Sequence, residues 1–257
     1  MSDTSVVEVA REGNVEILRL SRPASMNAIN GPMLAELIAH ARRIRADDSV
    51  HCVVLTGAPR SDGRPCFSAG DDLREAAAGE TPAGNPGRTL TNMIDDMLTP
   101  WIASIDGICT TGALELALAC DLRYVAETAQ LSDWHLARLG SGLGGWGAST
   151  RLSRLVGVAQ ASELILTGRS IDGAEALRIG LAQRLTSPSA LLDETMAAAR
   201  AIAGMDRAGV RMTLAHLSRV EDLSKEESLR FADQVRRWLP SSRTLQDSAS
   251  TILDKDR

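Results

Sequence analysis

Glu115 is the residue of this chain whose type and position best suit it to proton transfer. It is the one charged residue in Ala-Leu-Glu-Leu-Ala-Leu-Ala-Cys, residues 113–120, a run of strong helix formers that is apolar on every other side. Such a helix is expected to be buried, and burial favours the protonated form of a carboxyl group, which prepares it for acid–base work. The alternative role is electrostatic, since an acidic residue near a helix N-terminus gains about 0.3–1 kcal/mol from the helix dipole.

Gly112, just before this run, bears on both interpretations. It argues against a capping box, because that motif needs Ser or Thr three residues before the Glu. It also lets a ligand approach the backbone closely at a helix start, where free N–H groups point outward. An amide aimed at a developing oxyanion, with a carboxyl one helical turn away, provides half of a site for acyl-thioester chemistry.

The elements that must position these groups follow from the pattern of apolar residues. A buried strand over 101–105 and a turn at Asp106-Gly107 lead into the helix of Glu115. Upstream, residues 6–20 predict a hairpin and residues 30–45 an amphipathic helix, whereas residues 75–90 predict a loop. Strand–turn–helix units recur over residues 6–190. Further helices are predicted at 191–203, 210–220, 225–239 and 244–253.

The central stretch, residues 99–121, resembles the signature of the crotonase superfamily, the enoyl-CoA hydratases and isomerases. It departs from that signature at Asp106, where Asn is usual, and at Thr111 and Ala113, which replace the outer two of three glycines. Similarity extends from about residue 6 to at least residue 182. The matching positions of the central stretch are Pro100, Ile102, Ala103, Gly107, Gly112, Glu115, Leu116, Ala117, Cys120 and Asp121.

A second motif of the superfamily matches Cys-Phe-Ser-Ala-Gly-Asp-Asp-Leu, residues 66–73. The resemblance implies that the backbone N–H of Asp71 joins that of Gly112 in an oxyanion hole. A small apolar residue is usual at position 71, so a carboxylate there would oppose a developing oxyanion unless its side chain turns away. Without the resemblance, Asp71 or Asp72 would simply be a helix N-cap. The coenzyme A contacts implied by the resemblance are Met26, Ala28, Ala69 and Leu73.

The second catalytic carboxylate of the superfamily is missing from this chain. Counted from Ala129-Gln130 its place falls on His135, and counted from Gly140 it falls on Leu136. His135 titrates near neutral pH and is a candidate to replace the carboxylate as acid or base. A surface or merely hydrogen-bonded histidine is the alternative.

The resemblance implies an α/β fold with a crotonase-like ββα spiral core at residues 1–188 and a C-terminal helical trimerisation region at residues 189–257. Enoyl-CoA hydration is the leading reaction, with a coenzyme A thioester as substrate and no cofactor. Isomerisation, thioester or C–C bond hydrolysis, and a catalytically impaired acyl-CoA binder stay open, because the second carboxylate is missing. The expected assembly is a homotrimer or a hexamer formed by two trimers.

Composition excludes several other classes. The net charge of -5 leaves no basic surface for nucleic acid, and we expect no metal site and no membrane segment. The first residues lack a signal-peptide pattern, so a cytoplasmic location is expected. The Gly-x-Gly-x-x-Gly match at residues 140–145 is a weak nucleotide-binding signal, because no clear strand precedes it. The four cysteines are expected to be buried and unpaired.

Overall fold

The computed structural model describes residues 5–238 and 245–255, whose strands form two sheets. The strands are β1 (Val7–Glu12), β2 (Val15–Leu20), β3 (Cys52–Gly57), β4 (Cys66–Ser68), β5 (Trp101–Ile105), β6 (Ile108–Thr110), β7 (Leu122–Ala126), β8 (Gln130–Ser132), β9 (Ile171–Asp172) and β10 (Arg184–Thr186). The helices are α1 (Gly31–Ala46), α2 (Leu73–Ala78), α3 (Pro86–Asp95), α4 (Gly112–Leu118), α5 (Ala148–Val156), α6 (Val158–Thr167), α7 (Gly173–Arg178), α8 (Leu191–Ala203), α9 (Arg207–Leu217), α10 (Lys225–Trp238) and α11 (Leu245–Lys255). The predicted helix ends at Leu239 and Thr244 lie outside the described residues.

The larger sheet has the strand order β1-β2-β3-β5-β7-β10. The β1–β2 pair is the predicted antiparallel hairpin, and the remaining pairs are parallel. The smaller sheet has the order β4-β6-β8-β9, with β4, β6 and β8 parallel to one another. Consecutive strands such as β5 and β6 pass from one sheet to the other across Asp106-Gly107, and a helix follows. This repeated passage is the ββα spiral that the sequence predicts.

Several predicted elements are confirmed, and one prediction is wrong. Helix α1 begins after Asn30, whose side chain accepts a hydrogen bond of 3.1 Å from the amide of Met33. Residues 75–90 are not one loop, since α2 continues to Ala78 and α3 begins at Pro86. A proline at the first helical position loses no hydrogen bond, and the Asn85 side chain caps α3 by accepting from the amide of Arg88 at 3.0 Å.

The two faces of the larger sheet are covered by different helices. One face packs against α1, α3 and α4, and every residue of α4 is buried, as its composition predicts. The other face packs against α8, where Met196 and Ala199 contact Val54 and Ile102. Helix α8 is therefore part of the hydrophobic core. All four cysteines are buried and free.

The smaller sheet brings three chain segments to one edge. Strands β4, β6 and β8 run in the same direction, so the residues that follow them lie together at their carboxyl ends. Those residues are Asp71 after β4, Gly112 after β6 and His135 after β8. The topology thus assembles the three predicted site segments.

Helix α9 and the segment after it contact the core partly through ion pairs at the surface. Arg207 lies 2.9 Å from Asp48, and Arg219 lies 3.0 Å from Asp96. Such pairs each contribute only about 0–1 kcal/mol. Among the described helices, none combines the length and the apolar character needed to cross a membrane.

Candidate active site

Glu115 lies in the interior, only 1% exposed, as the fourth residue of α4. Its Oε1 atom accepts hydrogen bonds from the backbone amides of Trp146, at 2.8 Å, and Ala148, at 2.9 Å. A Cβ on Gly144 would lie 2.4 Å from the same oxygen, so the loop before α5 reaches the carboxylate only because position 144 has no side chain. The carboxylate is thus fixed by the start of α5 and not by the amides of its own helix.

The other carboxylate oxygen of Glu115 faces His135. The distance from Oε2 to Nε2 of His135 is 3.4 Å, and Oε2 accepts no hydrogen bond of good geometry from any residue the structure describes. His135 is itself buried. The structure therefore brings together the two side chains named as catalytic candidates, whereas Leu136, the alternative place of the second carboxylate, is partly exposed.

Asp133 holds the imidazole of His135 from the other side. Its Oδ1 atom lies 2.9 Å from Nδ1 of His135 and also accepts the backbone amide of His135 at 3.0 Å. Burial alone would lower the pKa of His135, but the contacts with Asp133 and Glu115 outweigh it and raise the pKa to about 10. His135 is therefore an imidazolium at neutral pH, paired with two carboxylates.

The sequence prediction missed Asp133, although a signal was present. An aspartate two residues before a histidine can contact both the backbone amide and the ring, as it does here. In the sequence, Ser-Asp after a short strand is typical of a turn. This turn composition gives no indication that Asp133 also holds the His135 ring.

The two amides predicted to form the oxyanion hole lie at adjacent positions. Gly112 is the first residue of α4, and a Cβ on Gly70 would lie 3.1 Å from its amide nitrogen. Within the described residues, neither the amide of Asp71 nor that of Gly112 donates a hydrogen bond. Two unpaired donors beside Glu115 form a suitable place for an oxyanion.

The side chain of Asp71 does not turn away from these amides, contrary to the condition derived from the sequence. Its Oδ1 atom lies 3.0 Å from the position that a Cβ on Gly112 would take. Burial, together with the charge of Glu115, raises the pKa of Asp71 to about 6, and His135 opposes this rise. Helix α2 is capped by Asp72, which accepts from the amide of Arg74 at 3.0 Å, so Asp71 is not needed as the N-cap.

The residues implied as coenzyme A contacts lie beside the same edge. The amide of Ala69 donates to the carbonyl of Met26 at 2.9 Å, which joins the two segments. The carbonyl of Ala28 accepts from Arg22 at 2.5 Å, and that of Ala69 accepts from Thr110 at 3.0 Å. Carbonyl oxygens have a second lone pair, so these bonds leave an acceptor site free. The implied coenzyme A contacts of the chain are Met26, Ala28, Ala69 and Leu73, of which Leu73 is 58% exposed.

A cavity of about 1000 Å³ lies elsewhere, between α3, α5 and α9. It is lined at the far end of α4 by Leu118 and does not include Glu115, His135, Asp71 or Gly112. The cavity is separate from the ionisable cluster. The residues suited to acid–base chemistry therefore lie in the cluster around Glu115 and His135 and do not line this cavity.

Comparison with solved structures identifies the architecture as the crotonase fold. An enoyl-CoA hydratase subunit from Geobacillus kaustophilus matches with a TM-score of 0.88 and 28% identity, over 99% of this chain and 97% of that one. A monofunctional enoyl-CoA isomerase from M. smegmatis matches with a TM-score of 0.74 and 30% identity, over 88% and 98% of the two chains. The chain therefore has the fold of the enoyl-CoA hydratases and isomerases.

Comparison of the sequence assigns the family. A probable enoyl-CoA hydratase from Rhizobium meliloti (strain 1021) is 35% identical over 255 residues, which cover 98% of this chain and 96% of that protein. The family model for enoyl-CoA hydratase/isomerase matches residues 10–256. The chain belongs to the enoyl-CoA hydratase/isomerase family.

Proposed function

We propose that this protein is an enoyl-CoA hydratase, which adds water across the carbon–carbon double bond of a 2-enoyl-CoA. The observation that carries the proposal is the pairing of Glu115 with protonated His135, 3.4 Å apart, beside the unpaired amides of Asp71 and Gly112. One group of the pair can accept a proton while the other donates one. The two amides can stabilise the negative charge that develops on the thioester oxygen between these two proton transfers.

The thioester carbonyl binds with its oxygen at the two amides. Attack at the β-carbon converts this carbonyl to an enolate, so that negative charge develops on the oxygen. Removing one such donor from an enzyme typically costs about 10²–10³ in turnover. The amides of Asp71 and Gly112 therefore supply the main stabilisation of the enolate in this proposal.

The proton transfers balance between Glu115 and His135. The Glu115 carboxylate takes one proton from water, and the hydroxide oxygen bonds to the β-carbon as the double bond opens. The imidazolium of His135 gives its proton to the α-carbon. Transfer of the proton from Glu115 to His135 then restores both groups, so the net reaction consumes one enoyl thioester and one water.

Coenzyme A is a part of the substrate in this proposal, and no cofactor takes part. The backbone around Met26, Ala28, Ala69 and Leu73 receives its adenine end. These residues lie next to Asp71 along β4 and its partner segment, which supports a thioester that runs from this surface to the amides.

We further propose that the protein works as a homotrimer or as a pair of trimers. Exposed large apolar side chains in the C-terminal region, from residue 205 onward, support this assembly, since they need a partner surface. These side chains are Met205, Leu217, Val220, Leu229, Trp238, Ile252 and Leu253.

The direct test of the reaction is incubation of the protein with crotonyl-CoA and measurement of the absorbance of the conjugated thioester. Hydration predicts loss of this absorbance and formation of 3-hydroxybutyryl-CoA. Gain of the same absorbance from a 3-enoyl-CoA, with no loss from crotonyl-CoA, would instead identify an isomerase. Saturable binding of acyl-CoA without any turnover would identify a binding protein and overturn the proposal.

A further inference from the structure

We propose that Trp146 is the wall of the acyl pocket and restricts the enzyme to short acyl chains. This inference rests on the proposed function, because it assumes that the thioester binds between Gly112 and Glu115. It adds the class of substrate, namely straight 2-enoyl-CoA thioesters of about four carbons.

The indole of Trp146 lies directly against the reaction centre. A Cβ on Gly112 would lie 3.0 Å from Cζ3 and 3.1 Å from Cη2 of the indole, so the ring contacts the residue whose amide is an oxyanion donor. The backbone amide of the same tryptophan donates to Glu115 at 2.8 Å. Trp146 therefore contacts Gly112 through its ring and Glu115 through its backbone amide.

Helix α3 holds the indole from the opposite side. A Cβ on Gly87 would lie 1.9 Å from Cε2 and 2.2 Å from Nε1 of Trp146, which no side chain at position 87 could tolerate. The ring thus packs directly against the backbone of α3 and lies between Gly87 and Gly112. Trp146 is only 7% exposed.

The backbone of this segment is also fixed. The carbonyl of Trp146 accepts from Thr91 at 2.8 Å and from Arg151 at 2.7 Å. The carbonyl of Gly145 accepts from the Asn85 side chain at 2.8 Å. Bonds from α3, α4 and α5 converge on two residues, so the indole acts as a fixed boundary and not as a mobile side chain.

A fixed ring at this place limits the length of the acyl chain. In this proposal the thioester oxygen binds at the amide of Gly112 and the β-carbon lies at Glu115, so the indole beside these two residues borders the acyl chain beyond the β-carbon. Trp146 is flanked in the sequence by Gly145 and Gly147, which have no side chains. Each methylene that cannot be accommodated typically changes kcat/KM by about 10- to 200-fold.

The test compares kcat/KM for crotonyl-CoA, trans-2-octenoyl-CoA and trans-2-dodecenoyl-CoA in wild type, Trp146→Phe and Trp146→Ala. We expect wild type to favour crotonyl-CoA and Trp146→Ala to raise the dodecenoyl-to-crotonyl ratio by at least about tenfold, with Trp146→Phe in between. Val9→Ala, an exposed apolar side chain on β1 that lies outside both the site and the proposed assembly surface, is the control and should leave the ratio unchanged. An unchanged ratio in a folded Trp146→Phe or Trp146→Ala protein would overturn the inference.

Binding of saturated acyl-CoA separates this inference from the proposed reaction. Calorimetric dissociation constants for butyryl-CoA and lauroyl-CoA do not depend on turnover. A preference for butyryl-CoA that is lost in Trp146→Phe or Trp146→Ala would support the proposal that Trp146 limits the acyl chain, even if no hydration is found. Equal affinity for both ligands in wild type would exclude it, even if crotonyl-CoA is hydrated.

Discussion

At the scale of single residues, the site depends on which groups carry charge. The pKa of His135, raised to about 10, makes it a cation between Asp133 and Glu115. Because this pKa is raised in the folded state, the associated stabilisation is complete below the ordinary value of about 6.5 and is lost as the pH rises towards 10. The acid needed for enolate protonation is therefore present throughout the neutral range.

Asp71 adds a charge that opposes the proposed chemistry above its own pKa. Since burial raises that pKa to about 6, Asp71 is neutral at lower pH and ionised at higher pH, where it repels an oxyanion at the amide of Gly112. We expect kcat/KM for crotonyl-CoA to fall as the pH rises through about 6. A charge about 4 Å away in a water-like medium costs about 1 kcal/mol, which is roughly a fivefold decrease.

The Asp71→Asn variant tests this assignment, because it removes the titration and keeps the backbone amide. Its kcat/KM at pH 8 should exceed that of wild type by at least about fivefold, with the decrease near pH 6 absent. Stability should follow the same sign, since ionisation of a carboxyl with a raised pKa destabilises the folded protein at high pH. A pH–rate profile identical to that of wild type would show that Asp71 does not influence the oxyanion.

The residues of the proposed site could be predicted from the sequence to different extents. Glu115 and Gly112 follow from a lone carboxyl in an apolar helix, which is a local pattern. His135 required a count along a matching motif, and the count alone left Leu136 open. The role of Trp146 depends on Gly87, about sixty residues away, and no local pattern reports such a contact.

At the scale of elements, the start of α4 contains a strained residue. Thr111 has φ 56° and ψ -117°, a conformation that glycine adopts readily and a β-branched residue does not. It replaces one of the outer glycines of the motif. Strain of this kind typically amounts to about 1–3 kcal/mol, and Thr111 lies directly before Gly112, whose amide is a proposed oxyanion donor.

Thr111→Gly should therefore stabilise the protein. Relief of strain exceeds the entropic cost of glycine, which is about 0.5–1 kcal/mol, and we expect a net gain of about 1 kcal/mol in denaturant unfolding. Ala113→Gly, the other replaced glycine, is the matched control. Ala113 lies within α4, so this change should lower stability by about 1 kcal/mol. Destabilisation by both changes would show that Thr111 is not strained.

The elements of the smaller sheet were the hardest to predict. Strands β4, β6 and β8 have three residues each, too few for a clear alternating pattern. Their pairing is non-local, and it is what brings Asp71, Gly112 and His135 together. Longer elements such as α1 and α8 were predicted to within a few residues, because several turns of periodic burial specify them.

At the scale of the whole molecule, α8 has a different role from the helices that follow it. Met196 and Ala199 cover the second face of the larger sheet, whereas α9 and the segment after it contact the core partly through surface ion pairs. The division of the chain at residue 189 stays a prediction. The structure distinguishes two truncations, one that keeps α8 and one that removes it.

A chain that ends at Gly204 should fold and be monomeric, since it keeps the covered sheet and lacks the exposed apolar helices. A chain that ends at Pro188 should aggregate, because it uncovers Val54 and Ile102. Size-exclusion chromatography with light scattering measures both outcomes. A trimer formed by the chain that ends at Gly204 would show that assembly does not depend on α9 to α11.

The central claim, that Glu115 is a working acid–base group, is tested most directly by Glu115→Gln. The glutamine oxygen can still accept from the amides of Trp146 and Ala148, so the shape of the site is kept while the titrating proton is removed. His135→Ala in parallel shows whether the imidazole supplies the second proton. We predict that kcat for crotonyl-CoA falls by about 10²–10⁴ in Glu115→Gln, with little change in the affinity for butyryl-CoA. Turnover near that of wild type, with at most about 1 kcal/mol of lost stability, would show that Glu115 only interacts electrostatically with the helix dipole. This result would contradict the mechanism.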